Sequence, residues 1–151
     1  MELYLKETLD SVANQTLKDI EVICVDDCST DNTFKILEEY AQNDSRFIVI
    51  HNEQNMGLGL TRNIGLDAVS GEFIMGLDAD DFLEADACEI LYNKIKQNQS
   101  QVLYFNFYNY NNDKKLTGIN KAYTNALKNL ENKGNVNVRN SYIPYIGFFY
   151  I

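Results

Sequence analysis

Positive charge is scarce in this sequence. Its 13 Lys and Arg stand against 22 Asp and Glu, a net charge of −9, and binding to a nucleic-acid backbone depends on clustered cations that release counterions. Nucleic acid is therefore excluded as a partner, while metal ions remain compatible with the balance. Cysteine is sparse as well. Cys24, Cys28 and Cys88 make an odd set, and Cys24 falls inside an apolar strand pattern where a reduced, core-filling thiol is expected. That points to a reducing cytoplasm. With His51 the only histidine and no second matched pair, Cys24 and Cys28 make a poor zinc set. No charged leader followed by an apolar segment opens the chain, and no apolar run approaches the roughly 20 residues that span a bilayer. The expectation is a soluble cytoplasmic protein, at most peripheral to the inner face of the membrane.

What is present is regular patterning. With 45% apolar side chains in 151 residues, the chain can bury one sizeable core, and a second full domain does not fit. Leu5, Leu9 and Val12 recur at helical spacing within Glu2–Asn14, and Ile20–Val25 reads as a short buried strand. Asp26 to Asn32 is a polar turn rich in helix caps, followed by a helix with Phe34, Leu37, Tyr40 and Ala41 on its apolar face. Phe47–Ile50 is the next strand. The loop Asn52–Gly59 needs the freedom of Gly57 and Gly59, and Leu60–Val69 forms a third helix. Phe73–Leu77 is an apolar run that reads as a buried strand. A helix over Asp86–Gln97 and an aromatic strand over Val102–Tyr108 follow. Strands alternating with helices specify an α/β fold with a mainly parallel sheet and right-handed crossovers. Beyond Tyr108 an asparagine-rich tract reads as loop with one helix over Tyr123–Asn132, and Tyr142–Ile151, with the only proline at Pro144, reads as a strand cut off at its end.

Two strands end in acids: Asp26 and Asp27 after the first, and Asp78, Asp80 and Asp81 after Phe73–Leu77. In a parallel sheet both clusters lie at the carboxyl edge, where open α/β sheets bind ligands. Gathered carboxylates suit Mg²⁺ or Mn²⁺, which take one or two of them together with ligand phosphates, so a diphosphate is the natural third party. Arg62, behind Gly57 and Gly59, supplies a positive fork toward a base or phosphate. Blander readings stand beside these: a solvated acidic turn with Asp81 capping the next helix, and a surface arginine at a helix start.

Asn14-Gln15-Thr16-Leu17, Val25-Asp26-Asp27-Cys28-Ser29-Thr30-Asp31, Asn55-Met56-Gly57 through Arg62-Asn63-x-Gly65, and Gly71-Glu72-Phe73 leading to Leu77-Asp78-Ala79-Asp80-Asp81 stand in a definite order. Together they closely resemble the nucleotide-sugar half of family 2 glycosyltransferases of the GT-A fold. The resemblance implies a Rossmann-like sandwich with helices on both faces of the sheet. It further implies an inverting, metal-dependent transfer from a nucleotide diphosphate sugar, expected to be a UDP-sugar, to a glycan or lipid-linked acceptor. By that resemblance Asp27 holds the base with Asp26 beside it, Arg62 also reaches the base, Asp78 contacts the ribose or supports the site, and Asp80 binds the Mn²⁺ or Mg²⁺ that bridges the diphosphate. Residues 1–108 correspond to an incomplete donor-binding domain and 109–151 to the start of an irregular acceptor-side region.

The departures from the family are definite too. Cys28 stands where the family has glycine, and the family's first strand is missing, so Val102–Tyr108 or Ile146–Ile151 is expected to fill its place in the sheet. The acceptor-side general base has no counterpart, since Glu131 is the only acid after Asp113. The chain by itself is thus expected to turn over donor poorly, and a remnant that only binds nucleotide is the alternative. A more remote reading is a receiver-like phosphoacceptor domain with Asp78 as the acceptor, which lacks the expected Lys-Pro. A dinucleotide-binding unit would need glycine where Arg62 stands.

Overall fold

A computed structural model of the chain describes residues 1–103, 105, 108–110, 116–119 and 149–150. Two compact units emerge, one of residues 1–99 with 143–151 and one of residues 100–142.

The first unit is built around a three-stranded parallel sheet. Strand β1 (Val22–Asp26) is its centre, flanked on one edge by β2 (Phe47–His51) and on the other by β5 (Phe149–Tyr150). The β1 and β2 register runs from Val22 opposite Phe47 to Asp26 opposite His51. All five residues of β1 are buried. Successive side chains of a strand point to opposite faces, so burial of Val22 and Cys24 as well as Ile23 and Val25 means that both faces of β1 are covered. On one side Val22 and Cys24 join Leu5, Leu9 and Val12 of helix α1 (Glu2–Ala13), Leu37 of helix α2 (Thr33–Asn43), Phe47, Leu77 and Ala79 in a single apolar cluster. Helix α3 (Leu58–Ala68) also packs on β1. The helical spacing expected of residues 2–14, 33–43 and 60–69 is thus realised, because each helix has one stripe to bury.

Polar groups hold the corners. Arg46 spans the turn before β2, donating from Nη2 to Asp44 Oδ2 at 2.6 Å and to the Ala13 carbonyl at 2.8 Å, which fastens the end of α1. Glu21, just ahead of β1, accepts from the Ser70 and Gly71 amides at 2.6 Å each. This sets where the chain enters the stretch that ends in the acidic turn.

Three expectations are corrected. Residues 73–77 form no ladder strand among the described residues; only Asp78 makes an isolated bridge. Both edges of β1 are occupied by β2 and β5, so this apolar run finds no partner there and is buried through Phe73 and Leu77 side chains alone. Of the two segments expected to fill the sheet, it is the second that does so: Phe149 and Tyr150 pair with Cys24 and Val25. Val102–Tyr108 does not form a strand over its described residues 102, 103 and 105, and a strand begins only at its last residue. In the second unit this strand, β3 (Tyr108–Tyr110), pairs antiparallel with β4 (Leu116–Ile119), inside the tract read as loop. The helix expected over Tyr123–Asn132 lies outside the described residues. The helix expected over 86–97 is present as α4 (Ala87–Gln97).

Candidate functional site

Parallel register carries Asp26 to the end of β1 opposite His51, so the residues just beyond them, Asp27 and Asn52, also meet. Asp26 is fully buried; its Oδ2 lies 2.7 Å from His51 Nδ1 and accepts from the Ser29 amide at 3.3 Å. Its Oδ1 has no hydrogen-bond partner among the described residues. His51 in turn packs on Phe34, with ring centroids 4.4 Å apart. Asp27 faces the other way. It anchors the glycine loop, its Oδ1 accepting from Asn52 Nδ2 and the Met56 amide and its Oδ2 from the Gly57 amide, each at 2.8 Å. Burial pushes the Asp27 carboxyl up, but these hydrogen bonds outweigh it and hold the group below the usual carboxylate range. The Thr61 hydroxyl, one turn into α3, acts in the same direction.

Gly57 explains the loop. It has φ +77°, in the left-handed region that glycine enters without a steric penalty, and directly precedes α3. Gly59, expected to serve the same need, lies inside the helix instead. Cys28, in the family's glycine position, keeps the left-handed backbone at φ 63°. Asp27, Cys28 and Ser29 from one side and Asn55, Leu58 and Thr61 from the other line a cleft of about 510 Å³. Thr61 is 2% exposed and stands beside Asp27. The next residue, Arg62, reaches Asp78, with Nη2 3.5 Å from Oδ1. The first turns of α3 therefore touch both predicted acid clusters, one through Gly57 and one through Arg62.

The acidic turn is held by Thr8 and Ser11 of α1 and by Gln15 just beyond it, contacts that the sequence reading did not assign. Thr8 Oγ1 donates to the Ala79 carbonyl at 2.8 Å, between Asp78 and Asp80, and Ser11 Oγ accepts from the Leu83 amide at 3.1 Å. Gln15, also fully buried, donates to the Glu84 carbonyl at 2.7 Å and accepts from the Cys88 amide at 2.9 Å. Positions 8, 11 and 15 follow helical spacing beside the apolar stripe, which was the available signal. So fixed, Asp78, Asp80 and Asp81 all remain exposed. Crowding around its carboxyl, and then the charges of Asp80 and Asp78, push Asp81 above the usual carboxylate range. The capping reading of Asp81 falls, because α4 starts at Ala87 with Asp86 as its cap residue. Among the described residues no three His, Cys, Asp or Glu side chains converge into a metal cage. The turn instead offers hard oxygen ligands in ones and twos, which fits Mg²⁺ or Mn²⁺ completing their shells with phosphate and water. Asp78 and Asp80 are not among the described residues lining the Asp27 cleft.

The model of the family described as "Glycosyl transferase family 2" matches residues 2–150. The chain belongs to glycosyl transferase family 2. Glycosyltransferase GlyA of Streptococcus pneumoniae is 40% identical over 111 residues, 74% of this chain and 16% of GlyA. The cholesterol galactosyltransferase of Borreliella burgdorferi is 43% identical over 108 residues, 69% of this chain and 30% of the relative. The crystal structure of S. aureus TarS superposes with a TM-score of 0.60 at 34% identity, over 65% of this chain and 18% of TarS. The α/β architecture is thus that of a GT-A glycosyltransferase, and the receiver and dinucleotide-unit readings fall. The chain spans less than a third of the length of each of these relatives.

Proposed function

We propose that this family 2 chain forms the donor side of a glycosyltransferase that uses a UDP-sugar and a divalent cation, with a glycan or lipid-linked hydroxyl as acceptor. The observation that carries this reading is the Asp27 carboxylate, held ionised by two loop amides and Asn52 on the wall of a cleft. A fixed carboxylate there suits the imide N–H of a uracil. Arg62, close to both the cleft and Asp78, completes the base and ribose side. Asp80, with Asp78 beside it, would hold the Mn²⁺ or Mg²⁺, which supplies charge neutralisation for the leaving diphosphate. In the transfer itself the acceptor oxygen forms a bond to the anomeric carbon while the bond to diphosphate breaks. The nucleoside diphosphate leaves with the bonding electron pair, and the acceptor proton passes to a base; a single displacement of this kind inverts the anomeric centre. Among the described residues, no helix is long and apolar enough to cross a membrane.

Calorimetry with UDP tests the reading. Binding is expected with Mn²⁺ or Mg²⁺ and to weaken at least tenfold with chelator, the equivalent of about 1.4 kcal/mol. Asp80→Asn should abolish the metal-dependent part while changing fold stability by less than about 0.5 kcal/mol, because the side chain is exposed and caps no helix. Equal UDP affinity with and without metal would overturn the role of Asp80, and no affinity in either condition would overturn the donor site.

A further inference from the structure

Asp26 is fully buried and is not among the described residues lining the Asp27 cleft, yet its side chain closes the turn that carries Asp27. Asp26 Oδ2 accepts from the Ser29 amide at 3.3 Å, and the residues between are Asp27 and Cys28. That span needs holding, because Cys28 takes the left-handed backbone at φ 63°. The same Oδ2 lies 2.7 Å from His51 Nδ1. A carboxylate oxygen only accepts, so Nδ1 carries the hydrogen. The parallel register sets His51 opposite Asp26, and its ring also packs on Phe34 of α2. The next residue, Asn52, donates its amide to the Asp26 carbonyl at 2.9 Å and its Nδ2 to Asp27 Oδ1 at 2.8 Å. Two consecutive residues leaving β2 thus hold two consecutive residues leaving β1, Asp26 in the core and Asp27 on the cleft wall.

We propose that His51 is a positioning residue for the donor site: its Nδ1–H holds the Asp26 carboxylate, which fixes the turn through Ser29 and with it the aim of Asp27. The inference rests on the donor-site reading above and adds to that site a residue that acts through Asp26 rather than on the ligand. A buried carboxylate without a good donor is costly, so it reorients or takes up a proton. With Nδ1 removed, Asp26 Oδ2 would keep only the longer contact with Ser29. What the position requires is a hydrogen-bond donor rather than an imidazole ring. An asparagine Nδ2, like a histidine Nδ1, is bonded to Cγ, so asparagine can place its donor at the same point.

The test compares UDP affinity, by calorimetry with Mn²⁺ present, and melting temperature between the full chain and its variants. His51→Leu removes the donor; if the turn then keeps its aim in about a tenth of the molecules, UDP binds about tenfold more weakly. His51→Asn returns a donor and should restore the natural affinity. Because His51→Leu leaves a buried carboxylate unpaired, the double variant Asp26→Leu/His51→Leu is measured beside it. Replacing both partners by apolar side chains spares the fold, so its melting temperature should hold while UDP affinity still falls about tenfold. Phe34→Leu is the packing control: it trims the contact with the His51 ring and should lower the melting temperature while leaving UDP affinity unchanged. Unchanged affinity in the double variant, or an equal loss in Phe34→Leu or in His51→Asn, would overturn the proposal with the donor site intact. Loss of the folded state in the double variant would show that the pair serves the fold instead, and would overturn it too. No UDP binding by the natural chain would overturn the donor-site reading and this one together.

Discussion

At the scale of single residues, the first strand's exit decides what the site can do. Asp26 and Asp27 are chemically identical neighbours, yet alternation along the strand sends one into the core against His51 and the other outward to the glycine loop. The adjoining Cys28 carries a conformational cost. A left-handed backbone costs an L-residue about 1–2 kcal/mol that glycine does not incur, and the Cys28 thiol recovers little through its 3.8 Å contact with the Glu53 carbonyl. Glycine also loses more chain entropy on folding, about 0.5–1 kcal/mol. Cys28→Gly should therefore stabilise the fold by about 0.5–1 kcal/mol, seen as a higher urea midpoint at constant slope. A lower midpoint would mean that the thiol packs to more effect than this geometry indicates.

At the scale of elements, α1 is both a core helix and a clamp. Its apolar stripe joins the main cluster, while Thr8, Ser11 and Gln15 hold 79–88 by hydrogen bonds made to backbone groups. Gln15→Leu removes a satisfied hub and orphans the buried Cys88 amide, so it should cost about 2–4 kcal/mol, one unpaired buried group plus the lost bonds. Hydrogen exchange at the Leu83 and Cys88 amides should quicken in the same variant, before global unfolding. Unaltered exchange there would show that the acidic turn keeps its place without α1. The amphipathic pattern of α1 was legible from the sequence because leucine and valine spacing reports burial directly. The clamp was not, because its partners are backbone groups some 70 residues away.

At the scale of the whole molecule, the excess of acids makes stability depend on pH in a definite sense. Asp10, lowered by Lys6 and Tyr40, and Asp44, lowered by Arg46, have carboxyls below their ordinary values. Glu21 and Asp27 are lowered too, burial opposing the hydrogen bonds that prevail. A depressed carboxyl contributes stability above its unfolded pKa, about 4, and loses it as pH falls through the folded value. Asp81 is raised and acts in the opposite sense, its cost being relieved on protonation. The lowered carboxyls outnumber the raised one, which predicts a urea midpoint that is higher at about pH 7 than at about pH 3. The opposite order would indicate that mutual repulsion among the acids outweighs their individual partners.

The four helices among the described residues, the strands β1 and β2 with their parallel sense, and the acids that end β1 were determined by the sequence, because periodicity and turn chemistry are local properties. The resemblance to the family groups Asp27, Arg62 and Asp78, and in the structure Arg62 Nη2 lies 3.5 Å from Asp78 Oδ1. Tertiary structure alone decided which strand occupies the second edge of β1, since Phe149 and Tyr150 lie more than 120 residues from their partners and pairing at that separation leaves no local trace. It likewise decided that 73–77 stays outside the ladder and that Thr8, Ser11 and Gln15 hold the acidic turn. Burial and hydrogen-bond satisfaction are properties of what the rest of the chain brings near a residue, and a polar side chain read in its own segment carries no sign of a partner some 70 residues away.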